Sequence, residues 1–141
     1  MQSRIQGRDK MKILVIDDSS TMRLLLYKIL RELKYDDITS VCTAEESIPL
    51  AINNPFDVIL TDWNLPKMSG YDLVKYFKST PETQKIPIIM ITTIHDRAAI
   101  VKALKAGVQG YILKPVGKDI LAVKLHEIEE KLALDKITSS S

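Results

Sequence analysis

Five side chains stand at equivalent places along this chain. Asp17 and Asp18 follow the apolar run KILVI, and Asp62 follows DVILT. Thr92 closes IPIIMIT, and Lys114 closes GYILK just ahead of Pro115. Taken singly, each is ordinary, because Asp after a strand is a common turn and cap residue. Taken together they form a chemical set. Three carboxylates brought to one place repel unless a proton or a hard cation intervenes. An all-oxygen donor set suits Mg²⁺ or Mn²⁺. With the repulsion offset, one carboxylate can attack a phosphoryl group and form an aspartyl phosphate. The Lys114 ammonium and the Thr92 hydroxyl are suitable donors to the charged phosphoryl oxygens. No residue stands out as a general base for positioning water, so a fast hydrolase is not implied.

The elements that must position these groups can be read from the pattern. The runs 12–16, 38–42, 57–61, 86–92 and 110–114 are β-branched and apolar on both faces, as buried parallel strands are. Amphipathic segments alternate with them. Over 20–33, Met22, Leu25, Leu26, Ile29, Leu30 and Leu33 make one helical stripe, with Ser19 or Ser20 as N-cap. A shorter helix spans 45–53, where Pro49 is awkward outside the first turn. A third spans 70–79, with Met68-Ser69-Gly70 turning into it and Gly70 supplying a special backbone angle. The fourth, 96–106, opens on Asp96 and closes at Gly107. The fifth spans 117–134 through Ile120, Leu121, Leu125, Ile128 and Leu132. Strands alternating with helices predict an α/β sandwich around a parallel sheet. Functional groups of such sheets gather at the carboxyl ends of the strands, where all five residues fall. By analogy with other open α/β sheets, the order 2-1-3-4-5 makes strands 1 and 3 neighbours, so their three carboxylates converge.

Composition bounds the rest. With 141 residues, 45% hydrophobic and 27% charged, the chain is one ordinary globular domain with a sizeable core. A net charge of +2 gives no footprint for nucleic acid. The single cysteine, Cys42, can form no internal disulfide and reads as a small buried hydrophobe, which favours a reducing compartment. No apolar run is long enough to span a membrane, and the amino terminus lacks a signal-peptide stretch, so a cytoplasmic location is expected. Residues 1–10 and 135–141 read as a flexible arm and tail around a domain at 11–134.

The set Asp17-Asp18, Asp62, Thr92 and Lys114-Pro115 resembles the receiver domain of two-component response regulators over about residues 11–134. The stretches DDSSTMR, TDWNLPKMSG, PIIMITT and ALKAG…YILKP are most similar to the stand-alone chemotaxis regulators of that family. The resemblance implies a flavodoxin-like (βα)5 three-layer sandwich with sheet order 2-1-3-4-5. It implies a signalling phosphoacceptor rather than a turnover enzyme. Asp62 would accept the phosphoryl group. Mg²⁺ would be held by Asp17, Asp18, Asp62 and the Asn64 backbone carbonyl. Thr92 would hydrogen-bond the phosphoryl group and Lys114 would pair with it, ahead of a cis Lys114–Pro115 bond. Tyr111 would be the switch aromatic. The output surface would be the fourth helix, fifth strand and fifth helix, including Tyr111 and Lys124. The implied partners are a histidine kinase as donor and a flagellar motor switch protein as reader, with no nucleic acid and no membrane. A monomer is expected before phosphorylation. Ile94 departs from the acidic residue that chemotaxis regulators often carry two places after the Thr. Asn64 agrees with them.

Two other classes are open to the same residues. An Mg²⁺-dependent phosphatase usually carries Asp-x-Asp on one strand, and Asp62-Trp63-Asn64 lacks the second Asp. A flavodoxin-like cofactor binder needs a phosphate-cradling loop after strand 1, where this chain has an acidic pair. Trp63 reads as a partly exposed aromatic, and His95 and His126 as solvated surface.

Overall fold

The computed structural model describes residues 11–140, the side chains of 139 and 140 excepted. The arm expected at 1–10 and the final residue lie outside the described residues. Strand β1 (Lys12–Ile16) is followed by α1 (Ser20–Glu32), β2 (Asp37–Val41), α2 (Ala44–Asn53) and β3 (Val58–Thr61). Then come α3 (Gly70–Lys78), β4 (Ile88–Thr92), α4 (Arg97–Ala106), β5 (Gly110–Leu113) and α5 (Lys118–Ser140). All strand pairs are parallel, and the sheet order is β2-β1-β3-β4-β5. This is the flavodoxin-like order that the resemblance and the analogy with other open α/β sheets implied.

The strands divide their side chains between two cores by their period of two. Ile13 and Val15 of β1, with Val58, Leu60, Ile89, Ile91 and Ile112, face Leu26, Ile29 and Leu30 of α1 and Leu121, Leu125 and Ile128 of α5. The alternate residues Leu14, Ile16, Ile59, Ile88 and Met90 face α2, α3 and α4 through Ala51, Leu73, Val74, Phe77 and Ala103. A one-residue slip in any central strand would exchange the two sets, so the register is strongly specified. In that register Ile16 stands beside Thr61 and Thr92 beside Leu113. The chain segments that follow these residues therefore emerge along one edge.

Short polar residues fix where the helices begin. Ser19, Thr43, Ser69 and Asp96 each accept a backbone N–H three residues on, at 3.1 Å in every case. Gly107 ends α4 at φ 116°, a left-handed cap that favours glycine.

Several expectations need correction. Strand β2 is not apolar on both faces; as an edge strand it leaves Asp37 and Ser40 exposed. Pro49 lies inside α2 beyond the first turn and is tolerated at an exposed position. Cys42 is only half-buried, and its sulfur lies 3.4 Å from Glu46 Oε1. Leu25 and Ile120 point outward at 39% and 61% exposure, so the core stripes of α1 and α5 are narrower than the apolar pattern. Helix α5 does not stop at 134: backbone expected as a loose tail is helical through Ser140. No helix among the described residues is long and apolar enough to cross a membrane.

Candidate functional site

Asp17 follows β1, Asp62 follows β3, Thr92 ends β4 and Lys114 follows β5, so the sheet delivers all four to its carboxyl edge. The adjoining backbones are tied across the strands. Asp17 N–H donates to Val41 O at 3.1 Å, Asp62 N–H to Ile16 O at 3.0 Å, and Lys114 N–H to Thr92 O at 2.9 Å. The three carboxylates of Asp17, Asp18 and Asp62 each offer an oxygen, and these oxygens lie within 4.8 Å of one another. Asp17 and Asp62 are buried, whereas Asp18 is exposed.

Lys114 supplies the counter-charge. Its Nζ donates to Asp17 Oδ2 at 2.9 Å and to Asp62 Oδ2 at 3.0 Å. Burial pulls the ammonium pKa down, but the hydrogen bonds and charges of Asp17 and Asp62 outweigh it and the net shift is upward. Lys114 is therefore a fixed cation. Three carboxylates against one ammonium leave negative charge in excess among these four side chains. The donors are all oxygen and carry excess negative charge, so the residues fit a hard cation such as Mg²⁺.

Each oxygen of Asp62 has its own partners. Oδ1 accepts the Trp63 N–H at 2.6 Å and the Asn64 N–H at 3.3 Å, while Oδ2 takes Lys114. The carboxylate is thus oriented by the turn that follows it. Asp17 is held similarly: Oδ1 accepts the Ser19 N–H at 2.9 Å, and its backbone carbonyl accepts Arg23 Nη1 at 2.7 Å.

Thr92 is fully buried, and its Oγ1 accepts a long 3.4 Å bond from the Ile94 N–H. Tyr111 is half-buried, and its hydroxyl donates to Ile94 O at 2.7 Å. The loop after β4 is therefore held by both residues. Burial first, then the charges of Asp96 and Asp62, push the Tyr111 pKa upward, which keeps it a hydrogen-bond donor. The Lys114–Pro115 bond is cis. His95 and His126 are exposed; His126 lies 3.2 Å from Glu130.

Two site features have roles that the sequence reading did not give them. Gly70 is needed for space rather than for a special angle, since the positive-φ residue in this loop is Lys67 at 63°. A Cβ on Gly70 would overlap the Asp62 carbonyl oxygen, and the Gly70 N–H donates to Trp63 O at 2.7 Å. Arg23 was the other. An arginine six residues after Asp17, in the first turns of the next helix, is the signal that could have found it.

Comparison with known proteins agrees with this geometry. Residues 13–126 match the family model described as the response regulator receiver domain. The chain is 44% identical to chemotaxis protein CheY1 of Helicobacter pylori over 119 residues, covering 84% of this chain and 96% of that protein. It is 39% identical to chemotaxis protein CheY-3 of Vibrio cholerae over 122 residues, covering 86% and 94%. Among solved structures it is similar to the receiver domain of the sensor histidine kinase PA1611 from Pseudomonas aeruginosa. That match has a TM-score of 0.78 and 25% identity, and covers 85% of this chain and 98% of that one. The PA1611 structure carries a magnesium ion coordinated in its active-site cleft.

Proposed function

This chain belongs to the response regulator receiver domain family of two-component signalling proteins, and from that membership we propose that Asp62 is its phosphoacceptor. The observation that carries the reading is the single Lys114 ammonium bridging Asp17 and Asp62 inside a cluster of three carboxylates.

In the proposed reaction an Asp62 carboxylate oxygen attacks the phosphorus of a phosphohistidine on a kinase, or of a small acyl phosphate. The new O–P bond forms as the P–N or P–O bond to the donor breaks, and the donor leaves with the bonding pair. Asp17, Asp18, Asp62 and the Asn64 backbone carbonyl would hold Mg²⁺, and Mn²⁺ would suit the same donors. When bound, the ion offsets the carboxylate repulsion and the charge on the phosphoryl oxygens. The backbone N–H groups of Trp63 and Asn64 orient the attacking carboxylate before reaction. Lys114 transfers its ion pair to the phosphoryl group, which adds close to two negative charges. Thr92 gives up its weak bond to Ile94 N–H and donates its hydroxyl to the phosphoryl group. That shift moves the loop carrying Ile94, which is also the acceptor of the Tyr111 hydroxyl. Tyr111 then repacks, and the surface of α4, β5 and α5 changes.

The reader of that surface is proposed to be a flagellar motor switch protein, in keeping with the chemotaxis relatives. Exposed Val101, Leu104, Leu113 and Val123 on these elements support a protein-binding role. The protein acts in the cytoplasm, as a monomer before phosphorylation, and turns over only its own phosphoryl group. Ile94, in place of an acidic residue, tunes how long that group lasts.

Incubation with Mg²⁺ and acetyl phosphate followed by intact-mass measurement tests the reading. One phosphoryl adduct is expected, absent in Asp62→Asn. A wild-type protein that gains no such mass across donors and Mg²⁺ concentrations would overturn it.

A further inference from the structure

The Asp62 loop is joined to α4 through residues other than Thr92 and Tyr111. Trp63, whose N–H holds Asp62 Oδ1, stacks its ring on Tyr71 with centroids 5.3 Å apart and planes 12° from parallel. Tyr71 is the second residue of α3, directly after Gly70, whose α-carbon is pressed against the Asp62 carbonyl. The Tyr71 ring is thus fixed to the Asp62 segment through its neighbour and through the stack. Two ammonium groups lie over that ring: Lys75 Nζ from α3 at 5.0 Å and Lys102 Nζ from α4 at 4.6 Å. The Lys102 contact crosses from one helix to the next. An ammonium is attracted to the negative face of an aromatic ring, and the attraction has a required geometry.

We propose that Tyr71 is a positioning residue through which Asp62 and α4 restrain each other, by way of Trp63 on one side and Lys102 on the other. The proposal deepens the phosphoacceptor reading and rests on it for its signalling consequence. Helix α4 is then held at two points. Its amino-terminal end follows the loop that carries Ile94, which is bonded to Thr92 of β4, and its middle is held by Lys102 on Tyr71. Release of the first point alone leaves α4 tethered at the second. A change in the Asp62–Trp63 segment on phosphorylation reaches Lys102 through a physical chain of contacts. Coupling of this kind is reciprocal, so loosening the Lys102 end alters what the site feels.

The test uses the full chain and five proteins: wild type, Tyr71→Leu, Lys102→Gln, and the conservative Tyr71→Phe and Lys102→Arg. Amide exchange of α4 is read by mass spectrometry with and without acetyl phosphate, intact mass gives the phosphorylated fraction, and Trp63 emission reports the stack. In unphosphorylated Tyr71→Leu and Lys102→Gln, α4 exchanges about threefold faster than in wild type. Tyr71→Phe and Lys102→Arg, which keep the ring and the charge, restore wild-type exchange. On phosphorylation the adduct forms in all five, but the change in α4 exchange falls to less than about half in the Leu and Gln variants. Wild-type α4 exchange in both of those variants would overturn the proposal. So would equal acceleration in the conservative pair, which would mark a packing effect with no part for ring or charge. A wild type that gains no adduct would sink the phosphoacceptor reading instead, and the unphosphorylated comparison would still decide the tie.

Discussion

Gly70 and Asp62 compete for one volume: a methyl group on the Gly70 α-carbon would coincide with the Asp62 carbonyl oxygen. Gly70→Ala therefore cannot be absorbed by a flexible side chain, because the obstacle is backbone. The variant is expected to lose about 1–3 kcal/mol of stability and to take up phosphoryl from acetyl phosphate at least about tenfold more slowly. Urea unfolding and a mass-resolved time course measure the two. A variant as stable and as fast as wild type would mean that the helix start gives way freely.

Lys114 is the one cation bonded to the buried Asp17 and Asp62 carboxylates among the described residues. Lys114→Met removes it and leaves both without a counter-charge. Stability without divalent ions should fall by about 2 kcal/mol, less than for a fully dry pair because the site is partly open to solvent. Added Mg²⁺ should recover more stability in the variant than in wild type. Equal Mg²⁺ responses would show that the ion does not take up the repulsion that Lys114 now offsets.

The raised pKa of Tyr111 has a direction in pH. Burial, Asp96 and Asp62 all favour the neutral phenol in the folded protein. The corresponding stability is fully present below the ordinary tyrosine range near pH 10 and is lost as pH rises through the higher folded value. Subtracting the phenolate absorbance of Tyr111→Phe from that of wild type should yield one phenol titrating above pH 10. The same variant loses the bond to Ile94 O and should be less stable by about 1 kcal/mol at neutral pH. A difference titration centred at or below the ordinary range would contradict the assignment.

The last turns of α5 lie at the surface. Residues 133–138 are exposed, Leu134 at 64% and Ile137 at 66%. Ending the chain after 134 should change stability by less than about 0.5 kcal/mol, while the far-ultraviolet helix signal drops. A large loss of stability would place these turns against the body of the domain.

The sequence made the site legible because the sheet did the sorting. A buried parallel strand reads as an apolar run, so the polar residue that ends it stands out. Asp17, Asp62, Thr92 and Lys114 were all singled out in this way. What remained hidden depends on distance across elements. Nothing in the spacing of Gly70 announces that its α-carbon meets the Asp62 carbonyl, and nothing in Lys102 announces a ring on another helix. Cys42 and strand β2 were misjudged because an apolar or β-branched residue at a sheet edge looks like one at its centre. Ile120 and Leu25 were misjudged because a helix with apolar residues on two faces does not say which faces the core. The helical turns after 134 were missed because a Ser-rich ending resembles a frayed one.

The ion pairs of Lys114 join residues 97 and 52 positions apart in the chain. Closing such spans is entropically unfavourable until strands from both ends of the domain have assembled. A nascent or partly melted chain therefore has its Asp62 but not the Lys114 and Asp17 that surround it in the folded protein. On the phosphoacceptor reading proposed above, competence arrives only with the last strand, and the chemistry doubles as an inspection of the finished fold.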